Sequence, residues 1–282
     1  MPPSPRDLVH ENLELVSLPE IVTRINGMIE DPESTAVDIA EVIAEDAALT
    51  ARLLKLVNSP FYNFPSQVDT LSMAITIVGT RQLRDLAMAA AITGRFRRMP
   101  EGLPDSDAFW HHNLACATAA RRIAQAAGLR QQEQLFVAGL LHDIGKLVMY
   151  LTAPAQSREV LDRLQKPDTD PATVEARVFG FDHAELGAEL LRQWRLPDSL
   201  VQPVRWHHAP AVASNFHPEA AVLHLAEAIA NTVAPPLSAD DDRPIDLQVW
   251  NTLALDPERL ETLIRDTERH FPGIVAIIYE AA

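Results

Sequence analysis

The feature that most constrains this chain is the spacing of its apolar side chains. They recur at three and four residues almost without interruption, and no stretch of useful length alternates as a half-buried strand does. In "SLPEIVTRINGMIED", residues 17–31, Leu18, Ile21, Ile25 and Met28 or Ile29 fall on one helical face. Ser17 with Glu20 reads as a capping box there, and Pro19 fits the first turn. Thr35 with Asp38 repeats the device, and Asp46 is placed to cap "AALTARLLKLVNS". The segments "TRQLRDLAMAAAITGRF", "FWHHNLACATAARRIAQAAG", "DHAELGAELLRQW" and "FHPEAAVLHLAEAIANTVA" carry the same period. The pattern predicts an all-α protein, a helical bundle of two packed subdomains.

The clearest punctuation is "RRMPEGLPDSDA", residues 97–108, with two prolines and a glycine, and it predicts a hinge. The expected subdomains are therefore 1–98 and 99–282. "NSPFYNFPSQVDT", residues 58–70, reads as a loop. Its Phe61, Tyr62 and Phe64 either serve a partner or subdomain interface or plug the local core. "APPLSADDDRP", residues 234–244, reads as a surface loop, and "DPERLETLIRDTERHFPGIVAIIYEA" as a closing helix.

Charge and composition remove several function classes. With 39 acidic and 24 basic residues among 282, the formal net charge is −15, which argues against general nucleic-acid binding. A small basic pocket for a phosphate remains compatible with it. A hydrophobic content of 47% is ample for a core. The single cysteine, Cys116, excludes an intrachain disulfide and a cysteine-based zinc site, and a reducing cytoplasm is the expected location. The first residues show no basic segment leading into an apolar one, and no window approaches 18 uninterrupted apolar residues, so no membrane span is expected. The 10 glycines are mostly isolated, which leaves no Gly-rich phosphate loop.

One stretch breaks the apolar pattern in a way that asks for chemistry. In "LFVAGLLHDIGKLVMY", residues 135–150, His142 and Asp143 stand side by side in an otherwise apolar run, followed by Gly145 and Lys146. Titratable groups in such a run cost several kcal/mol unless paired or bound. Five further histidines lie between residues 111 and 208: His111, His112, His183, His207 and His208. Imidazole and carboxylate together form a ligand set for zinc, iron or manganese, and each ligand would come from a different helix, meeting in a bundle core. The alternative for His142 and Asp143 is a direct structural ion pair. His111 and His112 diverge by about 100° on a helix, so they cannot both face inward. His217, His224 and His270 read as ordinary helix histidines.

These residues resemble a known family. "GLLHDIGKLV" is similar to the signature of the HD superfamily of metal-dependent phosphohydrolases. "EDAALTARLLKLVNSPFY", "AITIVGTRQLRDL" and "DHAELGAELLRQWRLPDSLVQPVRWHH" resemble the HDOD domain, the HD-related output domain of bacterial signalling proteins. The resemblance runs from about residue 14 to about 210 and leaves the last 70 or so residues uncovered.

What the resemblance implies is specific. Set against the related HD-GYP phosphodiesterases, His112 takes the first ligand position, and His142 with Asp143 forms the namesake pair. His183, His207 and His208 take the further histidines of dinuclear members, and Glu227 stands where an aspartate is usual. Asp143 would bridge two metals; His112, His142 and Glu227 would complete one site, and His183, His207 and His208 the other. Lys146 matches a lysine that faces substrate phosphate, which makes Asp143 and Lys146 the candidate catalytic pair. One or two ions of iron, manganese or zinc are implied. Many HDOD domains have lost the ligand residues and act as non-catalytic output modules, whereas this chain keeps them. After His208 no Gly-Tyr-Pro segment follows, which weakens any reading as a cyclic di-GMP hydrolase. The reading favoured is a cytoplasmic output protein with an HD-type metal site, acting through a signalling partner or a nucleotide or phosphate ligand. An active metal-dependent phosphodiesterase and a metal-free helical adaptor are the alternatives.

Overall fold

The computed structural model describes residues 4–12, 16–31, 33–62, 64, 66–96, 99–165, 170–234 and 245–280. Among them there is no strand. In chain order the helices are α1 (Pro5–Glu11), α2 (Glu20–Glu30), α3 (Ala36–Ala44), α4 (Ala47–Val57), α5 (Leu71–Val78), α6 (Thr80–Arg95), α7 (Ser106–Ala126) and α8 (Gln132–Leu141). They continue as α9 (Ile144–Thr152), α10 (Pro154–Arg163), α11 (Pro171–Phe179), α12 (His183–Gln193), α13 (Asp198–Trp206), α14 (His217–Val233), α15 (Gln248–Thr252) and α16 (Leu260–Val275). A π-helical turn, Ala276–Glu280, ends the described chain.

The helix starts follow from short polar side chains. Thr35 accepts from the Asp38 backbone N–H while the Asp38 carboxylate accepts from the Thr35 backbone, a capping box as expected. Asp46, Thr70, Asp170 and Asp182 each accept from the backbone N–H three residues on, opening α4, α5, α11 and α12. Each such cap contributes about 1 kcal/mol. The expected box at Ser17 and Glu20 does not form. Pro19 is itself the N-cap of α2 and makes no side-chain cap, which leaves Ser17 two residues before the cap position. A second box, Ser4 with Asp7, opens α1.

The chain divides into two compact units, drawn differently at both ends from 1–98 and 99–282. One comprises residues 18–97 and 269–282; the other comprises 1–17 and 98–268. In the first, α2, α3, α4 and α5 pack around α6, whose Leu83, Leu86 and Met88 are fully buried. The loop before α5 folds onto its own unit. Phe61 is buried and meets Tyr62 edge-on at 5.5 Å and the His270 ring at 6.1 Å, while Tyr62 stacks on Phe64 at 5.8 Å. The surface loop expected at 234–244 lies outside the described residues from 235 onward, as do residues 97 and 98 of the punctuated stretch.

In the second unit α7 is the central rod, packed along α8 and α14, while α9 lies on α12 and α12 on α13. Phe109, Trp110 and Phe136 fill its interior without exposure. The run Gln132–Thr152, which covers α8 and α9, is long and apolar enough by length and composition to cross a membrane. Its most apolar window is 89% buried inside the protein, so its apolarity is that of core helices.

Candidate metal centre

The helices of the second unit deliver titratable side chains to one place, and small residues set how closely they approach. A Cβ placed on Gly139 of α8 would stand 2.8 Å from the Ala117 Cα of α7, so the two backbones touch there. A Cβ on Gly145 of α9 would stand 1.9 Å from the His183 backbone oxygen and 2.8 Å from the Gly187 nitrogen of α12. Only glycine permits that crossing. The first contact sets His112 of α7 against His142; the second brings His183 against Asp143.

Most of the site's groups sit at helix ends. His142 is the C-cap of α8 and Asp143 the N-cap of α9. His183 is the first residue of α12, and His207 is the C-cap of α13, with His208 following it. His112 and Glu227 project from within α7 and α14. An ionised carboxylate at the start of α9 is in the position the helix dipole favours.

Asp143 is the hub. Its Oδ2 lies 2.9 Å from Lys146 Nζ, 3.6 Å from His142 Nε2 and 3.9 Å from His112 Nε2, and its Oδ1 lies 3.2 Å from His183 Nε2. Around it His112, His142 and Asp143 form one trio and His183, His207 and His208 another, with the ligand atoms of each trio within 4.8 Å of one another. The trios adjoin, since the rings of His142 and His207 meet at 5.3 Å. Glu227, expected beside His112 and His142, makes its recorded contact with His208, Oε2 to Nδ1 at 3.4 Å. All seven expected ligand residues and Lys146 thus gather in one buried centre. His111, in contrast, turns its Nδ1 to the Asp107 carbonyl on the exposed side of α7.

The electrostatics follow from burial and charge. Burial would raise the Asp143 pKa, but Lys146, His142 and His183 outweigh it and hold the carboxylate well below its usual range. Burial opposes ionisation of Glu227 likewise, and His208 overcomes it. His207 is kept neutral by burial and by His208 beside it. For His183 burial favours the neutral ring, but the carboxylates of Glu175 and Asp143 raise its pKa to about 10 against the opposing charge of Lys146.

An outer layer fixes the rings. His142 Nδ1 lies 2.8 Å from the Gly139 carbonyl oxygen, His207 Nδ1 2.6 Å from that of Val204, and His183 Nδ1 2.6 Å from Glu175 Oε2. In all three the Nδ1 is engaged outward and Nε2 is left for the centre. His224 belongs to the same layer: its Nδ1 lies 2.9 Å from the His207 carbonyl oxygen and its Nε2 accepts from the Asp246 backbone N–H at 3.1 Å. Glu175 and His224 were not expected at the site. Neither stands next to another titratable residue, and their role shows only where α11 and α14 pack.

The donor set fits a divalent transition metal. The Nε2 atoms of His142 and His207 are buried and find no hydrogen-bond partner among the described residues, which is costly unless something else meets their lone pairs. Five imidazoles and two carboxylates supply the nitrogen and oxygen donors that iron, manganese and zinc accept. Binding at His183 Nε2 would displace the proton that its two carboxylate neighbours stabilise.

Comparison with known proteins adds relatives to the geometry. A family model for the HDOD domain matches residues 15–210. An uncharacterized protein of Treponema pallidum (strain Nichols) is 27% identical over 196 residues, which is 69% of this chain and 38% of that protein. The chain thus spans well under half the length of that relative. Among solved structures, a protein of Shewanella amazonensis SB2B, provisionally named a phosphohydrolase, is 25% identical with a TM-score of 0.74, covering 98% of each chain. A Marinobacter aquaeolei VT8 protein, provisionally named for signal transduction, shares the fold at 24% identity and a TM-score of 0.73, covering 97% of this chain and 61% of that one.

Proposed function

The chain belongs to the HDOD family, and from that membership we propose that it is a signal-transduction output protein built around an HD-type metal centre. It acts by binding a partner protein or a phosphate-bearing nucleotide. His112, His142 and Asp143 would hold one ion, and His183, His207 and His208 a second, with Glu227 beside His208. When bound, such a metal supplies Lewis-acid polarisation of a phosphoryl oxygen and a water acidified toward neutrality.

The observation that carries this reading is closure. His142, Asp143, His183 and His207 have no exposure at all, and Lys146 keeps 4%. Structural metal sites are closed, whereas hydrolytic ones keep an open position for water and substrate. Lys146 Nζ, at 2.9 Å from Asp143, is occupied in balancing that carboxylate. His208, with 11% of its side chain exposed, forms the rim nearest solvent. The signal-transduction name of the Marinobacter protein agrees with this reading.

One observation favours the alternative, a metal-dependent phosphohydrolase. Asp143 reaches one trio with Oδ2 and the other with Oδ1, the disposition a two-ion clamp on a phosphoryl group uses. The provisional name of the Shewanella protein points the same way.

Two measurements decide among the readings. Protein purified without chelator is expected to carry iron, manganese or zinc by mass spectrometry, and to show no manganese-dependent turnover of a generic phosphodiester. Turnover lost in Asp143→Ala would establish the hydrolase instead. Protein without metal, and with no uptake on titration, would leave a metal-free adaptor.

A further inference from the structure

The rings of His142, His183 and His207 each make a hydrogen bond of 2.8 Å or less through Nδ1, and two of these bonds rest on backbone carbonyls, of Gly139 and Val204. The third rests on a side chain. Glu175 Oε2 accepts from both the His183 backbone N–H at 2.8 Å and the His183 ring Nδ1 at 2.6 Å. The carboxylate is 3% exposed on α11, eight residues upstream and on a separate helix from His183. We infer that Glu175 is a positioning residue of the centre, which holds the His183 ring with Nε2 toward Asp143 so that the second trio can accept a metal ion. The inference rests on the metal reading above for its consequence, though not for its geometry.

Two features support it. A carboxylate that grips both the main chain and the ring of one residue removes the two freedoms that matter, the helix start and the ring rotation. The Nε2 of the same ring lies 3.2 Å from Asp143 Oδ1 and 2.8 Å from His208 Nε2, so a turned His183 would break the junction between the trios. Carboxylate partners of ligand histidines typically change metal affinity by about 10–100-fold when removed. Glu175 also lines a cavity, with Lys146, Tyr150, Leu164 and Phe179. That cavity gives a small carboxylate a route to the place of a deleted Glu175 side chain.

The test uses the full chain in three forms: wild type, Glu175→Gln and Glu175→Ala. Gln keeps an acceptor of the same shape without the charge, and serves if the Ala form does not fold. In metal-free protein the His183 Nδ1 proton, donated to a carboxylate, is expected as a far-downfield, slowly exchanging NMR resonance, assigned by its loss in His183→Asn. Glu175→Ala should lose it and added formate should restore it. Titration with manganese or zinc should show affinity lowered about 10–100-fold in Glu175→Ala, less in Glu175→Gln, with formate recovering part of the loss in the Ala form alone. An unchanged resonance in Glu175→Ala would overturn the inference. So would a lost resonance accompanied by wild-type metal affinity. If wild type takes up no metal while Glu175→Ala still loses the resonance, the metal reading fails and the positioning of His183 by Glu175 stands.

Discussion

Glycine to alanine in a helix should have opposite signs at two positions of this chain. At Gly145 the added Cβ would meet the His183 oxygen at 1.9 Å, where ordinary contact begins at 3.4 Å, so α9 and α12 must part by about 1.5 Å locally. The atoms met are backbone, which cannot swing aside. A displacement of that size carries His183 Nε2 out of reach of Asp143 Oδ1, now at 3.2 Å. Overpacking of this kind costs about 1–3 kcal/mol, or about 2–12 °C in Tm for a unit of this size. Metal uptake should fall with it, because the second trio loses its register with the first. At Gly27 of α2 nothing lies within 4 Å of the new Cβ and the residue is exposed, so alanine should stabilise by about 0.4–1 kcal/mol through the unfolded chain. Scanning calorimetry of both variants, with metal analysis of Gly145→Ala, reads the two effects. A Gly145→Ala protein with wild-type Tm and wild-type metal content would refute the claim that this crossing sets the centre.

Four further substitutions test other parts. Asp143→Ala should lose most bound metal and destabilise by about 3–5 kcal/mol, because Lys146 is left as a buried charge without its carboxylate; adding Lys146→Met should recover stability in thermal melts but not metal. Glu227→Ala, which removes a carboxylate that meets His208 at 3.4 Å, should lower metal content less than Asp143→Ala in the same mass-spectrometric assay. Asp182→Ala removes the acceptor for the Glu185 N–H at 2.8 Å and should cost about 1 kcal/mol in urea unfolding, with α12 fraying at the end that carries His183. Phe61→Ala should cost about 3–5 kcal/mol, seen as a lower midpoint in thermal unfolding, because the ring is buried against Tyr62 and His270.

The sequence carried the helical class because a period near 3.6 is written in side-chain type at every turn, and the caps at Thr35 and Asp46 are local chemistry. It misplaced the start of α2, where a proline at the cap position displaced the serine that local rules favour. It could not show that residues 1–17 belong with the later part of the chain, since Trp194 Nε1 donating to the Val16 carbonyl at 2.9 Å is a contact without a local signature. The candidate centre was legible where adjacency marks it, at His142 with Asp143 and His207 with His208, and at its other candidate ligand positions through resemblance to a family. Glu175 and His224 were not legible. A lone glutamate on an amphipathic helix reads as a solvated charge, and only the packing of α11 against α12 turns it inward.

Placing five of the centre's groups at helix ends has a mechanical consequence. A helix is stiff along its axis, so a push on the far end of α12 or α13 arrives at His183 or His207 almost undiminished, as through a rod. The same histidines set within a loop would absorb it. An axial displacement of α8, α9, α12 or α13 would therefore reach the centre as a change in the spacing of a few ring nitrogens around one carboxylate.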